Sequence, residues 1–151
     1  MAPRIAFAAD HAGLTLKNEL VGELKKRGLF EPLDLGPHTA DSVDYPDYAV
    51  KVTSAIASKE AILGVLICGT GIGMNISANK VHGIRAALCH TEFEARMCRM
   101  HNDANVLCLG QRVIGAGVAI ELMNVFLSTA FEGGRHARRV EKMNALEGSQ
   151  R

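Results

Sequence analysis

Residues 62–75 read Ile-Leu-Gly-Val-Leu-Ile-Cys-Gly-Thr-Gly-Ile-Gly-Met-Asn, and the fold prediction starts from them. The apolar, β-branched run 62–67 has the length of a strand that is buried on both faces, as in a parallel sheet. Glycines follow at every second position, 69, 71 and 73, before a predicted helix from Met74 to about Asn79. Such a turn lets backbone N–H groups and a helix N-terminus face one negative charge. The stretch therefore predicts a thiol, that of Cys68, beside an anion-binding turn.

On both sides of this stretch, short apolar runs alternate with amphipathic helical patterns. Strands are predicted at 4–9, 32–35, 62–67, 84–89 and 106–109. Helices are predicted at 14–27, 47–59, 74–79, 91–100 with Thr91 as N-cap, 115–127 and 135–146. The alternation predicts one α/β domain over 1–151, with a five-stranded parallel sheet and helices on both faces. Strand order stays open, but ligands of such sheets bind at the carboxyl ends of the strands.

Composition bounds the class of protein. The 151 residues are 48% hydrophobic and 22% charged, which fits a single soluble domain. A formal net charge of +1 argues against nucleic-acid and membrane-surface partners, and no apolar run approaches the roughly 20 residues that span a bilayer. The four cysteines have no Cys-x-x-Cys spacing, and no signal peptide is visible. We therefore expect a cytoplasmic protein with reduced thiols and no metal site.

The glycine turn fits no common nucleotide motif. A dinucleotide fingerprint would place its third glycine where Met74 stands, and a P-loop would require Gly-Lys-Ser/Thr. A tight strand-to-helix connection without a ligand is the plain alternative. Cys68 is the catalytic candidate because its predicted surroundings stabilise a thiolate, although a lone cysteine is more often structural. The remaining cysteines, Cys89, Cys98 and Cys108, are predicted to be packing residues within strands or a helix.

The second half of the chain supplies further candidates. His101 follows a predicted helix, where a capping role and an acid–base role both remain open. Arg135 and Arg139 share one face of the last helix, and guanidinium groups suit phosphate oxygens, although a basic run is usually a solvated face. His11, at the start of the first helix, could join them. The weaker candidates are the other histidines: His38, His82, His90 and His136.

Seven segments together resemble ribose-5-phosphate isomerase type B, a family that also contains allose- and galactose-6-phosphate isomerases. The segments are Asp-His-Ala-Gly (10–13), Asp-Tyr-Pro (44–46), Cys-Gly-Thr-Gly-Ile-Gly (68–73), Gly-Ile-Arg-Ala (83–86), His-Asn-Asp-Ala-Asn-Val (101–106), Gly-Gln-Arg-Val (110–113) and Glu-Gly-Gly-Arg-His (132–136). The resemblance implies a Rossmann-like three-layer sandwich and cofactor-free interconversion of ribose 5-phosphate and ribulose 5-phosphate through a cis-enediolate. It also implies a homodimer with shared active sites, possible pairing into tetramers, and a C-terminal helix, about 135–147, contributing to the dimer and phosphate site.

Carried over by position, the resemblance implies a role for each site residue. Cys68 would move the proton between C1 and C2, Thr70 would assist at the sugar oxygens, and His101 would open the furanose ring. The enediolate would be held by the backbone amides of Gly69, Gly71, Ile72 and Gly73. Sugar hydroxyls would contact Asp10 and Asn102, with Tyr45 lining the pocket. The phosphate would contact His11, Arg112, Arg135 and Arg139. Some members use a glutamate base where this chain has Met74, so the chain resembles the cysteine branch.

Two functions from other classes remain open at this point. A thiol hydrolase would combine Cys68 with His101 and Asp103, although a nucleophile elbow usually has glycine where Leu66 stands. A nucleotide-binding regulatory module would hold a phosphate in the glycine turn and leave the thiol inert. Turnover of ribose 5-phosphate without a cofactor separates the isomerase from both.

Overall fold

The computed structural model describes residues 1–148, and its sheet confirms the α/β prediction. The five strands are β1 (Arg4–Ala9), β2 (Glu31–Asp34), β3 (Leu63–Cys68), β4 (Ala86–Leu88) and β5 (Val106–Gly110). All neighbours pair in parallel, in the order β2-β1-β3-β5-β4. Every residue of the central strand β3 is buried, as the apolar run predicted. The predicted domain 1–151 includes residues 149–151, which lie outside the described residues.

Helices cover both faces of this sheet. They are α1 (Leu14–Arg27), α2 (Tyr45–Ala57), α3 (Ile72–Ala78), α4 (Glu92–Asn102), α5 (Ala116–Ser128) and α6 (Arg135–Ala145). Side chains along β1 alternate between two cores, since Phe7 packs with α1, α4 and α5, whereas Ala8 packs with α2 and α3. The result confirms the helices on both faces that the alternating pattern predicted, and the three-layer sandwich that the resemblance implied. Among residues 1–148, no helix has the length and hydropathy to cross a membrane.

Several boundaries differ from the sequence predictions for local reasons. α2 begins at Tyr45 instead of Asp47, because Pro46 in its first turn has a φ preset for a helix. α3 begins at Ile72 instead of Met74, because Gly71, at a φ of 80°, turns the chain directly into the helix. β4 covers only Ala86–Leu88 of the predicted 84–89, so Cys89 lies just beyond its end. This strand is at the edge of the sheet and pairs only with β5.

Candidate active site

Cys68 is the last residue of the central strand, at the carboxyl edge of the sheet. Only 5% of its surface is exposed, and its Sγ accepts a hydrogen bond from the Gly71 N–H at 3.1 Å. The turn therefore directs a backbone N–H at the sulfur. The Ile72 N–H donates to Thr70 Oγ1 at 3.3 Å, so two of the amides predicted to hold an enediolate are engaged within the turn.

The turn can take this shape only because glycines occupy two contact points. A Cβ on Gly71 would lie 2.5 Å from the Leu88 side chain and 2.9 Å from the Leu109 carbonyl carbon, and its φ is positive. A Cβ on Gly110 would lie 2.6 Å from the backbone of Thr70. Backbone therefore packs directly on backbone between the turn and the end of β5, which holds the Cys68 thiol in place.

Charged and polar groups from neighbouring strands surround the turn. The Arg112 N–H donates to the Gly69 carbonyl at 2.9 Å, and a Cβ on Gly69 would lie 3.3 Å from Arg112 Nη1. The guanidinium therefore lies directly over the turn and adds positive charge there. From β1, the Asp10 N–H donates to the Ile67 carbonyl at 3.2 Å, which places Asp10 beside the end of β3.

Asp10, His11 and Tyr45 complete this edge. Asp10 is 7% exposed, and its Oδ1 accepts from the N–H groups of the two residues that precede α1, Ala12 at 2.9 Å and Gly13 at 3.1 Å. His11 is exposed, and its Nδ1 accepts from the backbone N–H of Val43 at 3.2 Å. The Tyr45 ring packs on Gly73, since a Cβ there would lie 2.8 Å from two ring carbons. The first-half site residues are thus brought together around Cys68.

Four other site residues of the second half lie at the opposite edge of the sheet: His101, Asn102, Arg135 and Arg139. His101 and Asn102 form the last turn of α4, and the chain then enters β5 through Asn105, whose carbonyl accepts from the Gly64 N–H near the start of β3. β5 has 5 residues, and at roughly 3.3 Å per residue it separates the two edges by about 16 Å. One chain therefore does not bring His101, Asn102, Arg135 or Arg139 to Cys68.

These residues form a second cluster around His136. The rings of His101 and His136 stack with centroids 4.2 Å apart and planes 9° apart. A cavity of about 310 Å³ is lined by His101, Asn102, His136, Arg139, Val140 and Met143. Desolvation lowers the pKa of His136, and the nearby His101 lowers it further, which favours a neutral imidazole. His136 is one of the weaker candidates of the sequence, because nothing in its own segment indicates that α6 stacks it on His101.

The thiol-hydrolase arrangement is not assembled within one chain. Besides the separation of Cys68 from His101, Asp103 is occupied elsewhere: its carboxylate accepts from Arg85 at 3.2 Å and from Arg99 at 3.0 Å. Asp103 also ends α4 in the left-handed conformation, with a φ of 46°. It is therefore a helix-capping and loop-fixing residue, with no carboxylate oxygen bonded to His101.

The other cysteines are buried, as predicted. Burial raises the pKa of the Cys108 thiol, and a hydrogen bond with Cys98 together with burial raises that of Cys89. The Sγ atoms of Cys89 and Cys98 lie 3.9 Å apart. A second cavity, of about 730 Å³, lies between the α3–β4 loop, β4, α4 and α6, and its lining includes Asn79, Arg85 and Met143. It lacks the thiol and the glycine turn, so the chemistry points instead to the edge around Cys68.

Comparisons with known proteins agree on one family. A family described as Ribose/Galactose Isomerase matches residues 5–143. Ribose-5-phosphate isomerase B of Escherichia coli K12 is 46% identical over 144 residues, which cover 95% of this chain and 96% of that protein.

Solved structures show the same likeness. Ribose-5-phosphate isomerase B of Clostridium thermocellum is 50% identical, with a TM-score of 0.93 and coverage of 95% of this chain and 97% of that one. The enzyme of Mycoplasma genitalium, solved with bound ribulose-5-phosphate, is 43% identical, with a TM-score of 0.93 and coverage of 99% of both chains. The fold and most of the length are thus shared with these proteins.

Proposed function

The chain belongs to the ribose/galactose isomerase family, in its ribose-5-phosphate isomerase B group, and is an isomerase; we propose that it interconverts D-ribose 5-phosphate and D-ribulose 5-phosphate. The observation that carries this proposal is the Cys68 thiol at the end of β3, bonded to the Gly71 N–H and surrounded by further backbone amides. A base beside preorganised N–H donors is the arrangement that proton abstraction next to a carbonyl requires.

In the proposed reaction, the Cys68 thiolate removes the proton from C2 of the open-chain aldose. The electron pair forms the C1–C2 double bond of a cis-enediolate, and negative charge develops on O1. Return of the proton from the thiol to C1 gives the ketose, while Thr70, exposed at the turn, assists proton transfer between O1 and O2. The backbone amides of the turn stabilise the oxyanion, at roughly 2.7–4 kcal/mol per donor judged from oxyanion-hole deletions. The Arg112 guanidinium, for which the resemblance implies a phosphate contact, lies over Gly69 and adds positive charge there.

The two separate clusters support a homodimer in which each site uses both subunits. Two-fold pairing would place His101, Asn102, Arg135 and Arg139 of one chain against Cys68 of its partner. His101 would then open the furanose ring by general acid–base catalysis, and the arginines would hold the phosphate far from C1. A reaction of this kind serves the non-oxidative branch of the pentose phosphate pathway.

The direct test is incubation of the purified protein with ribose 5-phosphate in deuterated water, without added cofactor. We expect ribulose 5-phosphate to form, with deuterium entering the reacting carbon. Cys68→Ala and Cys68→Ser should abolish ketose formation and deuterium incorporation while retaining sugar-phosphate binding. The control Cys98→Ala, at another buried cysteine, should retain both activities. Full activity in either Cys68 variant would remove this thiol as the base.

The role of His101 needs a substrate comparison. His101→Asn should reduce turnover of ring-closed ribose 5-phosphate by about 10²–10⁴-fold, the usual contribution of a general acid–base group. The same variant should turn over an open-chain sugar phosphate almost as well as the wild type. Equal losses on both substrates would contradict a ring-opening role.

A hexose 6-phosphate is the second candidate substrate, because the matching family contains galactose isomerases as well as ribose isomerases. The two substrates differ by one carbon, which a pocket discriminates by about 1–3 kcal/mol, or 10–200-fold. Measuring kcat/KM for ribose 5-phosphate against allose 6-phosphate and galactose 6-phosphate decides between them. We expect ribose 5-phosphate to have the largest value.

A further inference from the structure

Three potential metal ligands from separate segments meet around Glu132. His101 lies in the last turn of α4, His136 in the first turn of α6, and Glu132 in the loop between α5 and α6. Glu132 Oε2 is 3.8 Å from His101 Nε2 and 4.0 Å from His136 Nε2, and the three ligand atoms lie within 4.8 Å of one another. The spacing of the cysteines predicted no metal site, whereas here the packing of α6 on α4 brings His101 to Glu132 and His136.

The backbone fixes the positions of these side chains. The Glu132 N–H donates to the Met100 carbonyl at 3.1 Å, which ties the loop to the end of α4. The His136 N–H donates to the Gly133 carbonyl at 3.0 Å, which sets the first turn of α6. The cluster is therefore held by two anchored elements, and its geometry does not depend on a free loop.

His136 carries an independent sign that this position accepts a ligand. It is only 4% exposed, and its Nε2 is one of the buried side-chain nitrogens among residues 1–148 that have no hydrogen-bond partner. Leaving such an atom unsatisfied costs about 1–3 kcal/mol. The atom faces Glu132 at a distance too long for a hydrogen bond, so a ligand between the two would satisfy both.

We propose that His101, Glu132 and His136 bind a divalent transition-metal ion, with Zn²⁺ as the best match. Two imidazoles and one carboxylate are a common Zn²⁺ ligand set, and they leave a fourth position open to the 310 Å³ cavity. Zn–N and Zn–O distances near 2.0–2.1 Å place tetrahedral ligands about 3.3 Å apart. Reaching that from 3.8 and 4.0 Å requires small rotations, and it also requires the His101 ring to leave its stack on His136, because one metal ion cannot lie in the planes of two parallel rings. The half-exposed side chains of His101 and Glu132 can make these rotations.

The charges around the cluster shape what it binds. Glu132 supplies one negative charge, whereas Arg139 lines the same cavity and Arg135 begins the same helix as His136. These guanidinium groups oppose a bare cation and favour an anion, such as hydroxide or inorganic phosphate, at the fourth position. Arg139→Ala removes a repelling charge and no ligand, which makes it a matched control.

Occupation of this site would affect catalysis as proposed above. A metal on His101 Nε2 takes the lone pair that ring opening would use, so Zn²⁺ would inhibit turnover of ribose 5-phosphate and a chelator would reverse the inhibition. This consequence rests on the proposed function, whereas binding of the metal does not. A direct binding measurement therefore separates failure of the site from failure of the proposed role of His101.

The test is titration of the metal-free protein with Zn²⁺ in competition with a chromogenic chelator. We expect about one tight equivalent per chain, weakened at least about 10-fold in Glu132→Gln and in His136→Asn. Arg139→Ala should bind at least as tightly as the wild type. His82→Asn, which alters another histidine–glutamate pair, with Glu147 at 3.2 Å, should leave the affinity unchanged. Wild-type affinity in both ligand variants would overturn the proposal.

A second measurement does not depend on variants that fold. Wild-type crystals exposed to one equivalent of Zn²⁺ should show anomalous scattering at the zinc edge between the three side chains. A peak at the buried cysteines instead, or no peak, would equally overturn the proposal.

Discussion

A mixture of two inactive variants, Cys68→Ala and His101→Asn, should regain isomerase activity. Cys68 ends β3 at the carboxyl edge of the sheet, and His101 lies in the last turn of α4 at the other edge. The five residues of β5 put about 16 Å between these edges. Acid–base groups act within hydrogen-bond reach of the proton, about 3 Å, so the two residues can serve one sugar only from different subunits.

The size of the recovery follows from dimer symmetry. In a homodimer with two shared sites, a mixed pair of the two variants has one site with both substitutions and one site with neither. Random association of equal amounts makes about half of all dimers mixed, which restores about one quarter of the wild-type sites in the whole mixture and about one half in mixed dimers purified on their own. Two groups acting in one site of the same chain would give no recovery at all.

The assay requires subunit exchange. The two variants, carrying different affinity tags, are mixed in equal amounts, partly unfolded, refolded and purified through both tags, and ketose formation is then measured. The control replaces the second partner by the double variant Cys68→Ala/His101→Asn, which leaves no intact site in any dimer. Doubly tagged dimers with no more activity than the parent variants would refute the shared site.

Three further predictions concern parts of the same framework. Gly71→Ala should lower the free energy of unfolding by about 2–4 kcal/mol in a denaturant titration, because a positive φ and a steric clash add together. Gly22→Ala, with open space around it in α1, should raise it by about 0.5–1 kcal/mol. Arg139→Ala should raise KM with little change in kcat, because Arg139 lines the cavity beside His101. The control Arg138→Ala, at the exposed neighbouring residue, should leave both constants unchanged. An unaltered KM in Arg139→Ala would contradict a phosphate contact. Hydrogen bonds from the backbone N–H groups at the start of α4 lower the pKa of Glu94 in the folded protein. The ionised carboxylate should therefore stabilise the fold fully at pH values above its unfolded pKa, and this stabilisation should be lost as the pH falls through the lower, folded pKa. Thermal melts should therefore show Glu94→Gln less stable than the wild type at neutral pH and no different in strong acid.

The sequence predicts a helix or strand correctly where the residues of that element alone determine where it begins and ends. α1 was predicted as 14–27 and is Leu14–Arg27, because apolar spacing and a glycine cap mark it completely. Gly28 has the left-handed φ of 68° that the cap requires. β1 likewise matches its predicted range, and β3 is shifted by one residue. The carboxyl-edge grouping of Asp10 with the glycine turn also followed from the parallel sheet alone.

Contacts between distant elements could not be predicted in the same way. Lys17 stands on an amphipathic helix and looks like a solvated residue, yet it is fully buried. Its Nζ pairs with Asp34 at 2.6 Å and donates to the Pro37 carbonyl at 2.9 Å, partners that only the placement of β2 beside β1 supplies. The stacking of His136 on His101 depends in the same way on how α6 packs against α4. No spacing rule contains that information.

The location of His101 at the wrong edge for its own chain's Cys68 is a consequence of topology. In a parallel sheet every helix starts after the carboxyl end of one strand and must end near the amino end of the next. Cys68 was predicted at the end of a strand and His101 at the end of a helix, so the two groups belong to opposite edges whatever the strand order. A catalytic pair made of such residues needs a second chain, or a loop long enough to cross the sheet. The connection from α4 to β5 is only residues 103–105, so the proposed pairing of Cys68 with His101 in one site requires a second chain.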